Sequence, residues 1–135
     1  MNKKVSIGVA VYNGETTLKR AIDSLINQTY KNIEIIIIDD YSIDGSPSII
    51  KKYANEDSRI IYKINKINKE FVNNFNELFN MSNGDYFLWS DQDDYREKTF
   101  IGLVVPSFLF SENTERHAGF LWTRSTGVSH GLKSI

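Results

Sequence analysis

Ile33-Glu34-Ile35-Ile36-Ile37-Ile38-Asp39-Asp40 is apolar on both faces of an extended chain and then stops on two carboxylates. A strand with one wet face alternates apolar and polar residues. A nearly continuous isoleucine run, interrupted by Glu34, fits a parallel strand covered by helices on both sides. Upstream, Val5-Ser6-Ile7-Gly8-Val9-Ala10-Val11 is rich in β-branched residues and ends near the turn signal Asn13-Gly14. From Glu15 the period changes: Leu18, Ala21, Ile22, Leu25 and Ile26 recur at helical spacing. Downstream, residues 42–46 read as a loop. Ser46-Pro47 then opens a helix, with the serine as cap and proline in the first position, running to about Asn55. Residues 59–64 are a third strand. Phe71, Val72, Phe75, Leu78 and Phe79 form a helical stripe, stopped at Asn83-Gly84, and residues 86–89 are a fourth strand. The resulting β-α-β-α-β-α-β order predicts an α/β domain: a mostly parallel sheet with helices on both faces. Ligands of such sheets sit beyond the carboxyl ends of the strands. Here those ends carry Tyr12-Asn13-Gly14, Asp39-Asp40 and Asp91-Gln92-Asp93-Asp94.

The bulk numbers bound the function. The 135 residues suit one domain with one core, and 41% hydrophobic with 24% charged residues is globular composition. A formal net charge of -1 gives no basic excess for nucleic acid or an anionic membrane. Cysteine is absent, which excludes disulfides and cysteine-ligated zinc and suits a cytoplasmic setting. The apolar run after the basic start is too short and too interrupted for a signal peptide. No stretch reaches membrane-spanning length. Residues 100–110 are apolar enough for one more helix or strand, or for an interfacial helix. We expect residues 1–98 to form the core and residues 99–135 an irregular, truncated or altered remainder of the same domain.

Ser90-Asp91-Gln92-Asp93-Asp94 is the sharpest chemical feature. Carboxylates this close repel one another unless a cation or solvent screens them. Oxygen ligands suit Mg²⁺ or Mn²⁺, and alternate side chains of an extended segment would bring Asp91 and Asp93 to one face. An isolated Asp-x-Asp-Asp is more often an acidic turn, or a cap on a helix beginning near Arg96. A calcium loop lacks its glycine and later glutamate. Either carboxylate of Asp39-Asp40 could accept from a base N–H or a ribose hydroxyl, or it could brace the loop. The turn into the first helix offers free backbone N–H groups to a phosphate or ring. His117 and His130 are isolated and read as surface residues. Neither a Gly-x-Gly-x-x-Gly motif nor a lysine-bearing phosphate loop is present, so a nucleotide would need another means of attachment.

Three stretches in series, residues 5–15, 25–46 and 82–94, resemble the inverting family 2 glycosyltransferases of GT-A fold over roughly residues 3–98. The resemblance implies a Rossmann-like GT-A half-domain that binds the nucleotide-sugar. Val11, Tyr12, Asn13, Glu15, Asp39, Asp40, Asp91 and Gln92 fall at its nucleotide-sugar positions, and Asp93 with Asp91 at its metal. It further implies a Mg²⁺ or Mn²⁺ cofactor and a nucleoside-diphosphate sugar donor. The acceptor would be a glycan or a lipid-linked glycan of bacterial cell-surface polysaccharide synthesis, met at the inner face of the membrane. Ala10 and Glu70 depart from the family, Glu70 replacing a common glycine. The catalytic base, a carboxylate expected beyond residue 98, is not recognisable around Glu112 or Glu115. The alternatives are an inactive nucleotide-sugar-binding fragment, or completion of the site by another chain. A receiver-type signalling domain rests only on Asp39-Asp40 and lacks its later lysine. An uncovered apolar patch would favour a homo-oligomer.

Overall fold

The computed structural model describes residues 2–109 and 121–123. The elements are β1 (Val5–Val11), α1 (Glu15–Ile26), β2 (Ile33–Asp39), α2 (Ser46–Glu56), β3 (Ile60–Ile64), α3 (Glu70–Met81), β4 (Tyr86–Asp91), α4 (Phe100–Leu109) and β5 (Leu121–Thr123). The sheet order is β3-β2-β1-β4-β5. The first four strands are parallel and β5 runs antiparallel on β4. The α/β reading is therefore correct, and the chain reverses direction in strand order at β1, between β2 and β4. His117 and His130 lie outside the described residues.

The pleat splits the interior into two apolar layers. Odd-numbered residues of β1 and β2, with Tyr86 and Leu88 of β4, pack against Leu18, Ile22 and Leu25 of α1, Ile50 and Tyr53 of α2, and Ile101 and Val105 of α4. Ile36, Ile38, Phe87 and Trp89 pack against Leu78 of α3, with Phe75, Phe79 and Met81 at the border. The apolar stripe read on α3 is only partly core, since Phe71 and Val72 are 58% and 66% exposed. Both stand in the first turn of α3. Among the described residues no helix is long and apolar enough to cross a membrane.

Glu34, the one break in the isoleucine run, is buried. Its carboxylate accepts from Ser6 Oγ at 2.5 Å and from the Asn83 N–H at 2.6 Å, and it pairs with Lys4 Nζ at 2.7 Å. Burial pushes its pKa up, but these partners outweigh burial and leave it below the ordinary carboxylate range. The same corner explains Gly84. It does not end α3, whose flanking residue Ser82 is extended. A Cβ on Gly84 would instead lie 2.7 Å from the Ser6 nitrogen and 2.8 Å from the Lys4 carbonyl, so glycine is needed to let the chain approach β1.

Candidate active site

The β1–α1 and β2–α2 turns cap each other at the carboxyl edge of the sheet. The Glu15 N–H donates to Asp44 Oδ2 at 3.0 Å, and Glu15 Oε2 accepts from the Gly45 N–H at 3.1 Å. Asn13, at φ 47°, accepts from the Ile43 N–H at 3.0 Å, and its own N–H donates to Ser42 Oγ at 2.8 Å. Asparagine is among the residues that tolerate this left-handed conformation. Ser46 is not the cap expected from the sequence. It is the first helical residue, and its Oγ accepts from the Gly14 N–H at 2.9 Å. Asp44 Oδ1 takes the capping role on the Ser46 N–H at 2.9 Å.

A cleft of about 270 Å³ opens beside these turns, lined among others by Tyr12, Asp40, Phe71, Trp89, Asp91 and Asp93. Val11, Gln92, Ala10 and Asn74 complete it. Of the expected nucleotide-sugar and metal residues, the cleft thus gathers Val11, Tyr12, Asp40, Asp91, Gln92 and Asp93. Asn13, Glu15 and Asp39 do not line it. Alternation at the end of β2 sends the two adjacent aspartates to opposite faces. Asp40 faces α3 and the cleft. Asp39 turns away, with Oδ2 accepting from the Ser42 N–H at 2.9 Å and Oδ1 buried without a hydrogen-bond partner among the described residues.

Asp40 is heavily used. Oδ1 accepts from the Lys69 N–H at 2.7 Å and Asn65 Nδ2 at 3.0 Å, and Oδ2 accepts from the Glu70 N–H at 3.1 Å. Burial alone would raise its pKa. The hydrogen bonds from Lys69, Asn65, Asn74 and Glu70 prevail and lower it, so it stays ionised. A carboxylate has about four acceptor positions, and these four donors match them. The bracket on Asp40 also fixes the entry to α3, where Glu70 sits at φ 64°.

One carboxylate oxygen from each of Asp91, Asp93 and Asp94 falls within 4.8 Å of the others. They meet through a turn after β4, not through the strand pleat expected for Asp91 and Asp93. No helix begins near Arg96; α4 starts at Phe100, so the helix-cap alternative fails. Asp94 Oδ2 is held by Arg96 Nη2 at 2.9 Å and by the Asp91 N–H at 3.0 Å. Asp91 Oδ1 accepts from the Trp89 indole N–H at 2.8 Å. Asp93 has no hydrogen-bond or ion-pair partner among the described residues and is exposed. The donor set is all oxygen and converges, which fits a hard divalent cation, with Asp93 and Asp91 the ligands left available.

Sequence reading missed Phe71 and Asn74, and it placed Trp89 at the core or rim without linking it to the site. Phe71 meets the Trp89 ring edge-on at 5.1 Å and extends an aromatic wall along the cleft. A phenylalanine in a helical stripe reads as core, so only the tertiary packing, which leaves Phe71 exposed on the cleft, reveals it. Asn74 is buried and accepts from Asn65 Nδ2 at 2.8 Å, behind Asp40.

Fold and site together define a Rossmann-like GT-A half-domain, and the comparisons agree. The profile of glycosyl transferase family 2 matches residues 6–114, and the chain belongs to that family. It is 38% identical over 101 residues to glycosyltransferase GlyA of Streptococcus pneumoniae, covering 75% of this chain and 14% of that protein. It is 43% identical over 91 residues to WfaP of Escherichia coli, a UDP-Glc:α-D-GlcNAc-diphosphoundecaprenol β-1,3-glucosyltransferase, covering 67% and 36%. The crystal structure of S. aureus TarS 1-349 superposes with a TM-score of 0.71 at 25% identity, covering 76% of this chain and 31% of that one. The chain thus spans well under half the length of these relatives.

Proposed function

We propose that the cleft binds a nucleoside-diphosphate sugar, with Mg²⁺ or Mn²⁺ held by Asp93 and Asp91, as the donor half of a glycosyltransferase. The observation that carries this is the acidic turn beside Tyr12 and Asp40, in which Asp93 has no partner among the described residues. Tyr12, 53% exposed, and Phe71 offer faces to a base or sugar ring. Val11 and Asp40 form the floor. Asn13, Glu15 and Asp39 act by holding the turns, and Gln92 by holding the acidic turn. When bound, the metal supplies charge neutralisation for the diphosphate leaving group. The solved complex of TarS with UDP-GlcNAc supports a donor of this class. The diphosphoundecaprenol named for WfaP supports a lipid-linked acceptor in cell-surface polysaccharide synthesis, met at a membrane face.

Transfer needs a base for the acceptor hydroxyl. The cleft acids are Asp40, Asp91 and Asp93, and all three are engaged in holding loops or suited to a metal. Binding and turnover are therefore tested apart. Calorimetry with UDP-, dTDP- and GDP-sugars, with and without Mn²⁺, should show metal-dependent binding of at least one. Absence of binding to all of them removes the reading. Sugar transfer above an Asp93→Ala control would show that the base is supplied within this chain.

A further inference from the structure

A second concavity lies apart from the nucleotide-sugar cleft and shares none of its lining residues. It is a groove of about 360 Å³ between α1 and the segment that follows the acidic turn. Four cations line it, Lys19, Arg20, Arg96 and Lys98, against one carboxylate, Asp23. That carboxylate is already neutralised, by Lys19 Nζ at 2.6 Å and the Tyr53 hydroxyl at 2.5 Å. Arg20 lies 5.0 Å over the Tyr95 ring. Neither Arg20 nor Lys98 has a carboxylate within ion-pair distance among the described residues. Arg96 spends Nη2 on Asp94, while its Nε is buried and has no hydrogen-bond partner among the described residues.

The far wall is held in place. The Arg96 N–H donates to Ser24 Oγ at 3.2 Å, Gln28 Nε2 to the Glu97 carbonyl at 2.8 Å, and the Thr29 N–H to the Lys98 carbonyl at 2.7 Å. In a chain whose net charge is -1, Arg20 and Lys98, without a carboxylate partner among the described residues, thus share one concave, backbone-anchored place. Planar guanidinium forks and an ammonium are the donors that recognise phosphate oxygens.

We propose that this groove is a second anion site, for a phosphate or diphosphate group, with Arg20 and Lys98 as its principal contacts. It is separate from the metal-dependent cleft and binds without a metal. Its ligand chemistry can come from a free diphosphate or from a lipid headgroup.

The test uses the whole chain with a chelator present, so that no divalent ion can bridge a phosphate to the acidic turn. Pyrophosphate is titrated while the backbone amide resonances of Arg20, Tyr95 and Lys98 are followed. Sedimentation with phosphatidylglycerol-containing vesicles, against pure phosphatidylcholine vesicles, forms the second arm. Binding in either arm should weaken at least about tenfold in an Arg20→Gln/Lys98→Gln double variant and with rising salt. An Arg20→Lys/Lys98→Arg variant should retain it, and so should Asp93→Asn. Pyrophosphate alone would point to a free diphosphate, and vesicles alone to a headgroup. Binding in neither arm, or binding untouched by the double variant, or binding lost in Asp93→Asn, overturns the proposal. None of these results depends on whether a nucleotide-sugar binds the cleft.

Discussion

The Gln92 carboxamide closes both of its hydrogen bonds on the backbone of Tyr12. Oε1 accepts from the Tyr12 N–H at 2.8 Å, and Nε2 donates to the Tyr12 carbonyl at 3.2 Å. The side chain imitates one rung of a sheet ladder beyond the end of β4. It ties the acidic turn to the residue we assign to the base or ribose. Thr17 Oγ1 adds a bond to the Gln92 carbonyl at 3.0 Å. Gln92→Ala should therefore weaken Mn²⁺ and nucleotide-sugar binding together, each by roughly tenfold, while costing about 1 kcal/mol of stability. Calorimetry on both ligands checks this. A loss confined to one ligand would mean that the tether does not couple the two halves of the site.

The acidic turn divides its labour. Asp94 is committed to Arg96, whereas Asp93 has no partner among the described residues. Asp93→Asn should lower Mn²⁺ affinity by about two orders of magnitude, and Asp94→Asn by roughly tenfold or less. Metal titration of the two variants decides it. The reverse ranking would reassign the ligand set.

Glu34 makes stability depend on acid. Its folded pKa is lowered, so its contribution is present above the unfolded value of about 4.3 and disappears as pH falls through the folded value. Glu34→Gln should cost about 2 kcal/mol at pH 7, from weakened charged hydrogen bonds. It should cost much less below both pKa values. Urea unfolding at neutral and at acid pH reads this difference, and an equal cost at both would exclude linkage through Glu34.

Glu70 occupies a left-handed conformation at φ 64°, where a Cβ is unfavourable. Its N–H contacts to Asp40 and Asn68 do not need the side chain. Glu70→Gly should raise stability by about 0.5–1 kcal/mol, after the glycine's greater freedom in the unfolded chain is deducted. Denaturant midpoints of the variant and the parent measure it.

Gly84 gives the opposite sign. An added methyl meets the backbone of Ser6 and Lys4, neither of which can move without disturbing the start of β1. Gly84→Ala should cost about 1–3 kcal/mol in thermal or urea unfolding.

The sequence by itself determined the element order, the parallel sheet and the acidic strand ends. Period and run length are local properties: the isoleucine run of β2 fits a covered strand, and Leu18, Ile22 and Leu25 recur at the spacing of one helix face. The three family stretches likewise lie within continuous segments. Tertiary structure decided the division of roles among neighbours. Asp39 and Asp40 are adjacent and both acidic, yet the pleat gives Asp40 to the cleft and turns Asp39 toward the opposite face. Glu15 and Asn13 look available in sequence, but the β2–α2 turn, about 30 residues away, claims their side chains. Gln92 belongs to Tyr12, 80 positions earlier. Phe71, in the helical stripe of α3, lines the cleft and not the core. Hydrogen bonds between distant segments satisfy polar groups that sequence must leave open, and only the packed sheet sets which groups meet.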